Sequence, residues 1–151
     1  MPKKVIYLAG AINGCSDSEC KDWREAAKRH LEPQFETLDP MRRDYRGRED
    51  DCVNEIVEGD LVDIGCSHLI LASCPKPSWG TAMEIFYSAR SLGTPVVAMM
   101  PLDVAVSPWL RYHTLQIVHS LDEAIAFIRA YYAPKAQYAS AFFGREYLGA
   151  S

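Results

Sequence analysis

The stretch Val5-Ile6-Tyr7-Leu8-Ala9-Gly10, followed by Ser16-Asp17-Ser18-Glu19 and then by Trp23, Ala26, Ala27 and Leu31, decides the fold. An unbroken apolar run of this length reads as a strand covered on both faces. Ser16 and Glu19 have capping-box spacing, and the apolar residues after them recur at helical intervals, which predicts a helix from Asp17 to Leu31. Pro33 ends it. A buried strand that passes into an amphipathic helix is the opening half of a parallel β-α-β unit.

The same alternation continues along the chain. Strands are expected at Phe35–Leu38, His68–Ser73, Pro95–Met100 and Leu115–Val118. Helices are expected from Glu49 to Ile64, with Val53, Ile56, Val57, Leu61 and Ile64 on one face, and from Thr81 to Leu92 with Gly93 as its cap. Another is expected to start at Ser120-Leu121-Asp122-Glu123 and run to Tyr132. Pro101 to Thr114 reads as a long connection. The order β-α-β-α-β-α-β-β-α predicts a flavodoxin-like, Rossmann-like α/β domain: an open, mostly parallel, five-stranded sheet with helices on both faces. Ligands of such sheets bind beyond the carboxyl ends of the strands. The loops Gly10–Ser16, Pro40–Arg48, Cys74–Gly80 and Pro101–Tyr112 should therefore meet at the site. The domain is expected over residues 1–132, with an aromatic tail at 133–151 packing on it or on a neighbouring subunit.

Bulk composition narrows the function. The chain has 151 residues, 48% apolar and 24% charged, as in ordinary globular domains, and a net charge of −4 that does not favour nucleic acid polymers or anionic membranes. Five cysteines without a C-x-x-C pair fit free thiols in a reducing cytoplasm. The scattered His30, His68, His113 and His119 have no metal-site spacing, so no metal is expected. The apolar run after Met1-Pro2-Lys3-Lys4 is too short for a signal sequence or a membrane span.

Two carboxylates stand out. Asp60 lies on the apolar stripe of its helix, where desolvation raises a carboxyl pKa. It could equally be structural. Glu84 starts the helix after the third strand. Thr81-Ala82-Met83-Glu84 also has capping-box spacing, so Glu84 could simply return a bond to the Thr81 backbone. Two carboxylates near one crevice suit glycosidic chemistry, whose oxocarbenium-like transition state a carboxylate stabilises or captures. Ser78 and the amides of Trp79, Gly80 and Thr81, at a helix start, form a candidate site for a phosphate or sugar hydroxyl. Gly10-Ala11-Ile12-Asn13-Gly14 is not the G-x-G-x-x-G dinucleotide fingerprint, and no organic cofactor is expected. The cluster Arg42, Arg43, Arg46 and Arg48 reads as a phosphate attractor or a solvated loop.

Together, Ile6-Tyr7-Leu8-Ala9-Gly10, Leu38-Asp39-Pro40, Tyr45-Arg46-Gly47, Glu58-Gly59-Asp60-Leu61 and Pro77-Ser78-Trp79-Gly80-Thr81-Ala82-Met83-Glu84 resemble the nucleoside 2-deoxyribosyltransferase family, including its nucleotide N-glycosidase branch. The resemblance implies that Glu84 is a nucleophile forming a covalent glycosyl intermediate, that Asp60 is its partner carboxylate and that Tyr7 orients it. It implies a small nucleoside or nucleotide substrate, contacted by Gly10, Asn13, Ser78 and Gly80, and by the loop of Asp44, Tyr45 and Arg46. Ser78, where many transferases of free nucleosides carry Asp, points to a monophosphate. Ser107 resembles a serine given to the phosphate site of an adjacent subunit, which implies a homodimer. Asn13 and Ala11 depart from the pattern, standing where the hydrolases carry Arg and Ser, so a phosphate grip would come from Arg42, Arg43 or Arg46. Asp44 would accept hydrogen bonds from an amino-bearing base edge, or else neutralise its arginine neighbours. Hydrolysis and base transfer share the first half-reaction. A phosphoribohydrolase of the cytokinin-activating type and a non-catalytic nucleotide sensor on the same fold remain as rivals.

Overall fold

A computed structural model describes residues 1–135. Five strands, β1 (Val5–Gly10), β2 (Glu36–Leu38), β3 (Leu69–Ser73), β4 (Val96–Met99) and β5 (Gln116–Val118), form one sheet in the order β2-β1-β3-β4-β5. Every pairing is parallel. The expected open sheet is met, and it is parallel throughout. Helices α1 (Asp17–Leu31) and α5 (Leu121–Tyr131) cover one face, where Ile6, Leu8, Leu71 and Val97 pack against Ala27, Leu31, Ala124 and Ile128. The opposite face buries Tyr7, Ala9, Ile70 and Val96 against Ile64 of α2 (Val53–Gly65) and Ile85 of α3 (Trp79–Phe86). Alternate residues of β1 thus supply both cores, which is why its sequence is apolar without a break. Among the described residues no helix is long and apolar enough to cross a membrane.

The strand order reverses beside β1, since β2 lies on one side and β3 on the other. This is the switch point at which a crevice opens above the sheet. Glu36 N–H donates to the carbonyl of Lys4 at 2.9 Å. Two steps of the strand repeat bring Pro40 opposite the carbonyl of Leu8, and proline has no N–H to give. The next donor, Arg42 N–H, goes to the carbonyl of Asp39 in a 3-10 turn over Pro40–Arg42. Pro40 therefore ends β2 while β1 continues, leaving one edge of β1 bare.

Several boundaries differ from the sequence reading. Residues Glu49–Asp51 form a separate 3-10 turn, because Cys52 leaves helical geometry at φ −122° and ψ 24°. Val53 and Val57 of α2 are exposed rather than core, while Asp63 and Ile64 are buried. The helix descends from the carboxyl edge of the sheet, and only its later turns are covered. The next helix begins earlier than expected, at Trp79, because Ser78 rather than Thr81 caps it. It continues as a π-helical turn over Tyr87–Ser91, and Gly93 then takes a left-handed φ of 66°. The expected connection at 101–114 contains a further short helix, α4 (Pro108–His113), begun by Ser107 as cap and Pro108 in the first turn. The expected tail at 133–151 lies, from residue 136 on, outside the described residues.

Close packing at the end of β1 makes Gly10 a sharp test. A Cβ there would stand 2.8 Å from the Trp23 ring and 3.2 Å from Nη2 of Arg24. Gly10→Ala is expected to destabilise the domain by about 1–3 kcal/mol, the usual cost of overpacking, read as a lower midpoint in urea denaturation.

Candidate functional site

The crevice above the ends of β1 and β3 gathers side chains from four elements. Tyr7 points from β1 to the α2–α3 side, as the alternation of the strand requires. Its hydroxyl donates to Oε1 of Glu84 on α3 at 2.9 Å. Asp60 on α2 acts electrostatically on both. Arg24, on the buried face of α1, has 0% exposure and approaches from beneath.

Glu84 is not the cap of its helix. With Ser78 as cap and Trp79 as first residue, Glu84 falls in the second turn, and its carboxylate is engaged by Tyr7. Burial pushes the Glu84 carboxyl up to about 8, and the nearby Asp60 charge adds to the rise; the Tyr7 bond and Arg24 pull it back. Burial raises Tyr7 strongly, and the Glu84 and Asp60 carboxylates raise it further, so it remains a neutral donor. Asp60 is also raised by burial, opposed first by the Arg43 charge. Two carboxyls with raised pKa therefore lie in this region, and a cationic centre beside them would favour their charged forms. A sugar developing oxocarbenium character is such a centre.

The arginines after β2 are already engaged. Arg42 Nη2 lies 2.8 Å from Oδ1 of Asp63, and Arg43 Nη2 lies 2.7 Å from Oδ2 of the same residue and 3.6 Å from Oδ1 of Asp60. Burial raises Asp63, but the bonds from both arginines outweigh it and hold its pKa below the usual value. Arg46 forks onto Asp44 and also reaches Asp17 on α1 at 2.9 Å. Asp44 is held down at about 2, chiefly by its side-chain bonds to Arg46. Of its two readings, neutralisation of a neighbouring arginine is the one its contacts match. Tyr45 lies under the Arg48 guanidinium, 5.6 Å from its ring centroid. The sequence reading offered Arg42, Arg43 or Arg46 as a phosphate grip, and all three now hold carboxylates.

The remaining candidates lie in or beside the loops that follow the strands. Gly10 ends β1, and Asn13 is exposed in the loop after it. Lys76, in the loop before α3, reaches back to Glu19 on α1 at 3.4 Å, so this cation overlooks the same rim. Ser78 Oγ accepts from the Thr81 amide at 3.5 Å and from the Thr81 hydroxyl at 3.1 Å, which leaves its own hydroxyl proton to donate elsewhere. Gly80, in the first turn of α3, has open space beside it. Ser107 caps α4 by accepting from Trp109 N–H at 3.2 Å. It lines an apolar groove of about 780 Å³ between α3 and α4, which Lys76 and Ser78 also line and whose wall includes Trp79, Met83, Phe86 and Trp109. None of Tyr7, Asp60 and Glu84 lines this groove. Among the described residues no cluster of three or more His, Cys, Asp and Glu could hold a metal.

Sequence reasoning missed Arg24 and the role of Asp39. Arg24 occupies a buried stripe with Cys20, Ala27 and Leu31, an arginine at a core position of an amphipathic helix. That anomaly was readable in the spacing. Asp39 is buried and lies 3.5 Å from Arg24 Nε and 2.7 Å from Lys28 Nζ.

No protein-family model matches the chain, and no curated protein sequence does. Solved structures do match. A 2-deoxyribosyltransferase of the psychrotolerant bacterium Bacillus psychrosaccharolyticus superposes with a TM-score of 0.65 at 16% identity, over 88% of this chain and 94% of that one. A CMP N-glycosidase of Clostridium botulinum superposes with a TM-score of 0.54 at 19% identity, over 83% and 98%. At these identities the likeness is one of fold, and at that level the resemblance read from the sequence is met.

The raised Glu84 pKa predicts a stability signature. Between the ordinary value of 4.5 and about 8, the folded protein holds a proton that the unfolded chain has lost, so stability falls as pH rises through that window. Glu84→Gln removes this contribution. Its melting temperature should therefore decline less than that of the wild type between pH 5 and pH 8.5, and should exceed it at the upper end.

Proposed function

We propose that this chain cleaves the N-glycosidic bond of a nucleoside or nucleoside 5′-monophosphate through a covalent Glu84-glycosyl intermediate, as an N-glycosidase or a 2-deoxyribosyltransferase. The observation that carries this reading is the Tyr7–Glu84 pair between β1 and α3, with the charge of Asp60 acting on it. The fold shared with a 2-deoxyribosyltransferase and a CMP N-glycosidase supports it.

In the first step Glu84 passes its proton to Asp60 or to solvent, and a carboxylate oxygen of Glu84 attacks the anomeric carbon. The bond from that carbon to the base nitrogen breaks, and its electron pair leaves with the base, which takes a proton from Asp60 or from solvent. Tyr7, donating to Oε1, fixes the carboxylate and leaves Oε2 to attack. The positive charge that develops on the sugar offsets the burial that otherwise keeps Glu84 protonated. In the second step water or another base attacks the same carbon, and the bond to the Glu84 oxygen breaks with its electron pair returning to the carboxylate. The proton of the attacking water or base N–H passes to Asp60 or to solvent. Each outcome balances without a cofactor.

A 5′-phosphate would be held by the free hydroxyl proton of Ser78, by the amides at the start of α3 and by Lys76 from the facing loop. A second copy of the chain would bring its Ser107 to the same phosphate. The exposed Trp79, Met83, Trp109 and Tyr112 around the α3–α4 groove support a self-associating surface.

The direct test is incubation with ribo- and deoxyribonucleosides, with and without 5′-phosphate, followed by detection of free base. Glu84→Gln should lose at least ~10³-fold in rate, the scale seen when a nucleophile is removed. An intact protein that releases no base from any of these compounds would leave the nucleotide sensor as the better reading.

Ser107→Ala should raise KM for the monophosphate several-fold and leave turnover of the free nucleoside unchanged. Sedimentation should find the active species to be at least dimeric. Full activity from a monomer would remove Ser107 from the site.

A further inference from the structure

The last residues of β1, Leu8 to Gly10, follow directly on Tyr7 and have β3 on one side but no strand on the other. By the alternation of the parallel ladder, the carbonyls of Leu8 and Gly10 face the side on which β2 has already stopped at Pro40. Buried carbonyls without donors are costly. Arg24 supplies the donors. Its Nε donates to Leu8 O at 3.3 Å and its Nη2 to Gly10 O at 2.9 Å, while Nη1 ties back to Cys20 O of its own helix at 2.6 Å. One planar guanidinium thus stands where the next residues of β2 would have been, a geometry suited to arginine and not to lysine.

We propose that Arg24 is a positioning residue for the Tyr7–Glu84 pair, completing the bare edge of β1 and placing a buried positive charge beneath the two side chains. This rests on the reading of Glu84 as the reacting group, but its consequences for geometry and charge do not require turnover. A neutral side chain could fill the same volume, and an apolar one would be the ordinary choice for a core stripe. What the cation adds is a field favouring the anionic form of Glu84, opposed by burial and by Asp60.

The groups that set this field come from every packed element. Tyr7 and Arg24 face Glu84 from β1 and α1, and Asp60 faces it from α2. Asp60 is itself raised by burial, lowered by Arg43 and raised again by Asp63. Behind Arg24, Asp39 lies 3.5 Å away and accepts from the Met41 amide at 2.8 Å, with Lys28 2.7 Å on its other side. Asp39 therefore offsets the burial of Arg24 without lying among the causes of the Glu84 shift. The same cradle uses Gly10, because a Cβ there would crowd both Trp23 and Arg24.

The test uses the full-length chain and two substitutions. Arg24→Met removes the charge and all three bonds. Arg24→Lys keeps a charge but cannot span the carbonyls of Leu8 and Gly10 together. The readout is the titration of the Glu84 carboxyl by carbon NMR on glutamate-labelled protein, assigned by its disappearance in Glu84→Gln. In folded Arg24→Met the midpoint should move up by ~0.5 unit or more, less than the 1–3 units of a contacting opposite charge. In Arg24→Lys it should stay closer to the wild type, while amide hydrogen exchange over residues 8–15 accelerates at least several-fold. A wild-type titration in folded Arg24→Met, or wild-type exchange in Arg24→Lys, overturns the proposal. Should Arg24→Met not fold, the exchange measurement on Arg24→Lys decides. A purely structural role would lower the melting temperature and leave the Glu84 midpoint unmoved. If the wild type releases no base but the midpoint and exchange shift as expected, the glycosidase reading fails and the role of Arg24 stands.

Discussion

Where β2 stops and β1 goes on, the fold must satisfy carbonyls that no strand can reach. Pro40 cannot donate, and the Arg42 amide is taken by Asp39. The Arg24 guanidinium fills the gap, and a chain of consequences follows. Arg24 must be buried, so Asp39 must be buried beside it, and Lys28 comes in to balance Asp39. Gly10 must lack a side chain to let the guanidinium and the Trp23 ring approach. Tyr7, three residues before Gly10 on the same strand, is held rigidly enough for its hydroxyl to meet Glu84 across the crevice.

A second set of ion pairs fastens the far wall. Arg42 and Arg43 share Asp63, and Arg43 also reaches Asp60, so the loop after β2 is clamped to α2. Arg46 ties the same loop to Asp17 at the start of α1. These arginines hold the rim together, and their charge is largely neutralised in doing so. Lys76 is more loosely held, with its side chain half exposed and its carboxylate partner Glu19 equally so. An exposed pair of that kind exchanges partners at little cost. Helix α3 carries Glu84, which meets Tyr7, and also Trp79, Met83 and Phe86, which line the apolar α3–α4 groove.

The fold was written almost completely in local patterns. Continuous apolar runs such as Val5–Gly10 and Leu69–Ser73 can only be strands buried on both faces, and the capping box at Ser16 and Glu19 fixed the start of α1. Elements whose ends depend on distant partners were read less well. Val53 and Val57 look like core on a helical wheel, but α2 is covered only along its later turns. The helix Pro108–His113 was hidden because its Ser-Pro start sits in a segment with no apolar periodicity of its own. Glu84 and Thr81 had the spacing of a capping box, and only the placement of Ser78 as cap moved Glu84 into the second turn.

Sequence spacing could nominate Asp60 and Glu84 as carboxylates at telling helix positions, and Tyr7 entered through the family resemblance. Spacing could not bring them together. Their meeting depends on the right-handed crossovers that set β1 beside β3 and lay α2 and α3 on the same face. Nor could it apportion the charges: Arg42, Arg43 and Arg46 read alike in one dimension, and tertiary distance alone decides which carboxylate each one meets. Coulomb energy and desolvation vary with separations through space and with burial. The chain order therefore determined the scaffold and the list of chemical groups, while the packed structure decided which carboxyl would be buried to a pKa of about 8 and which arginine would lie beneath it.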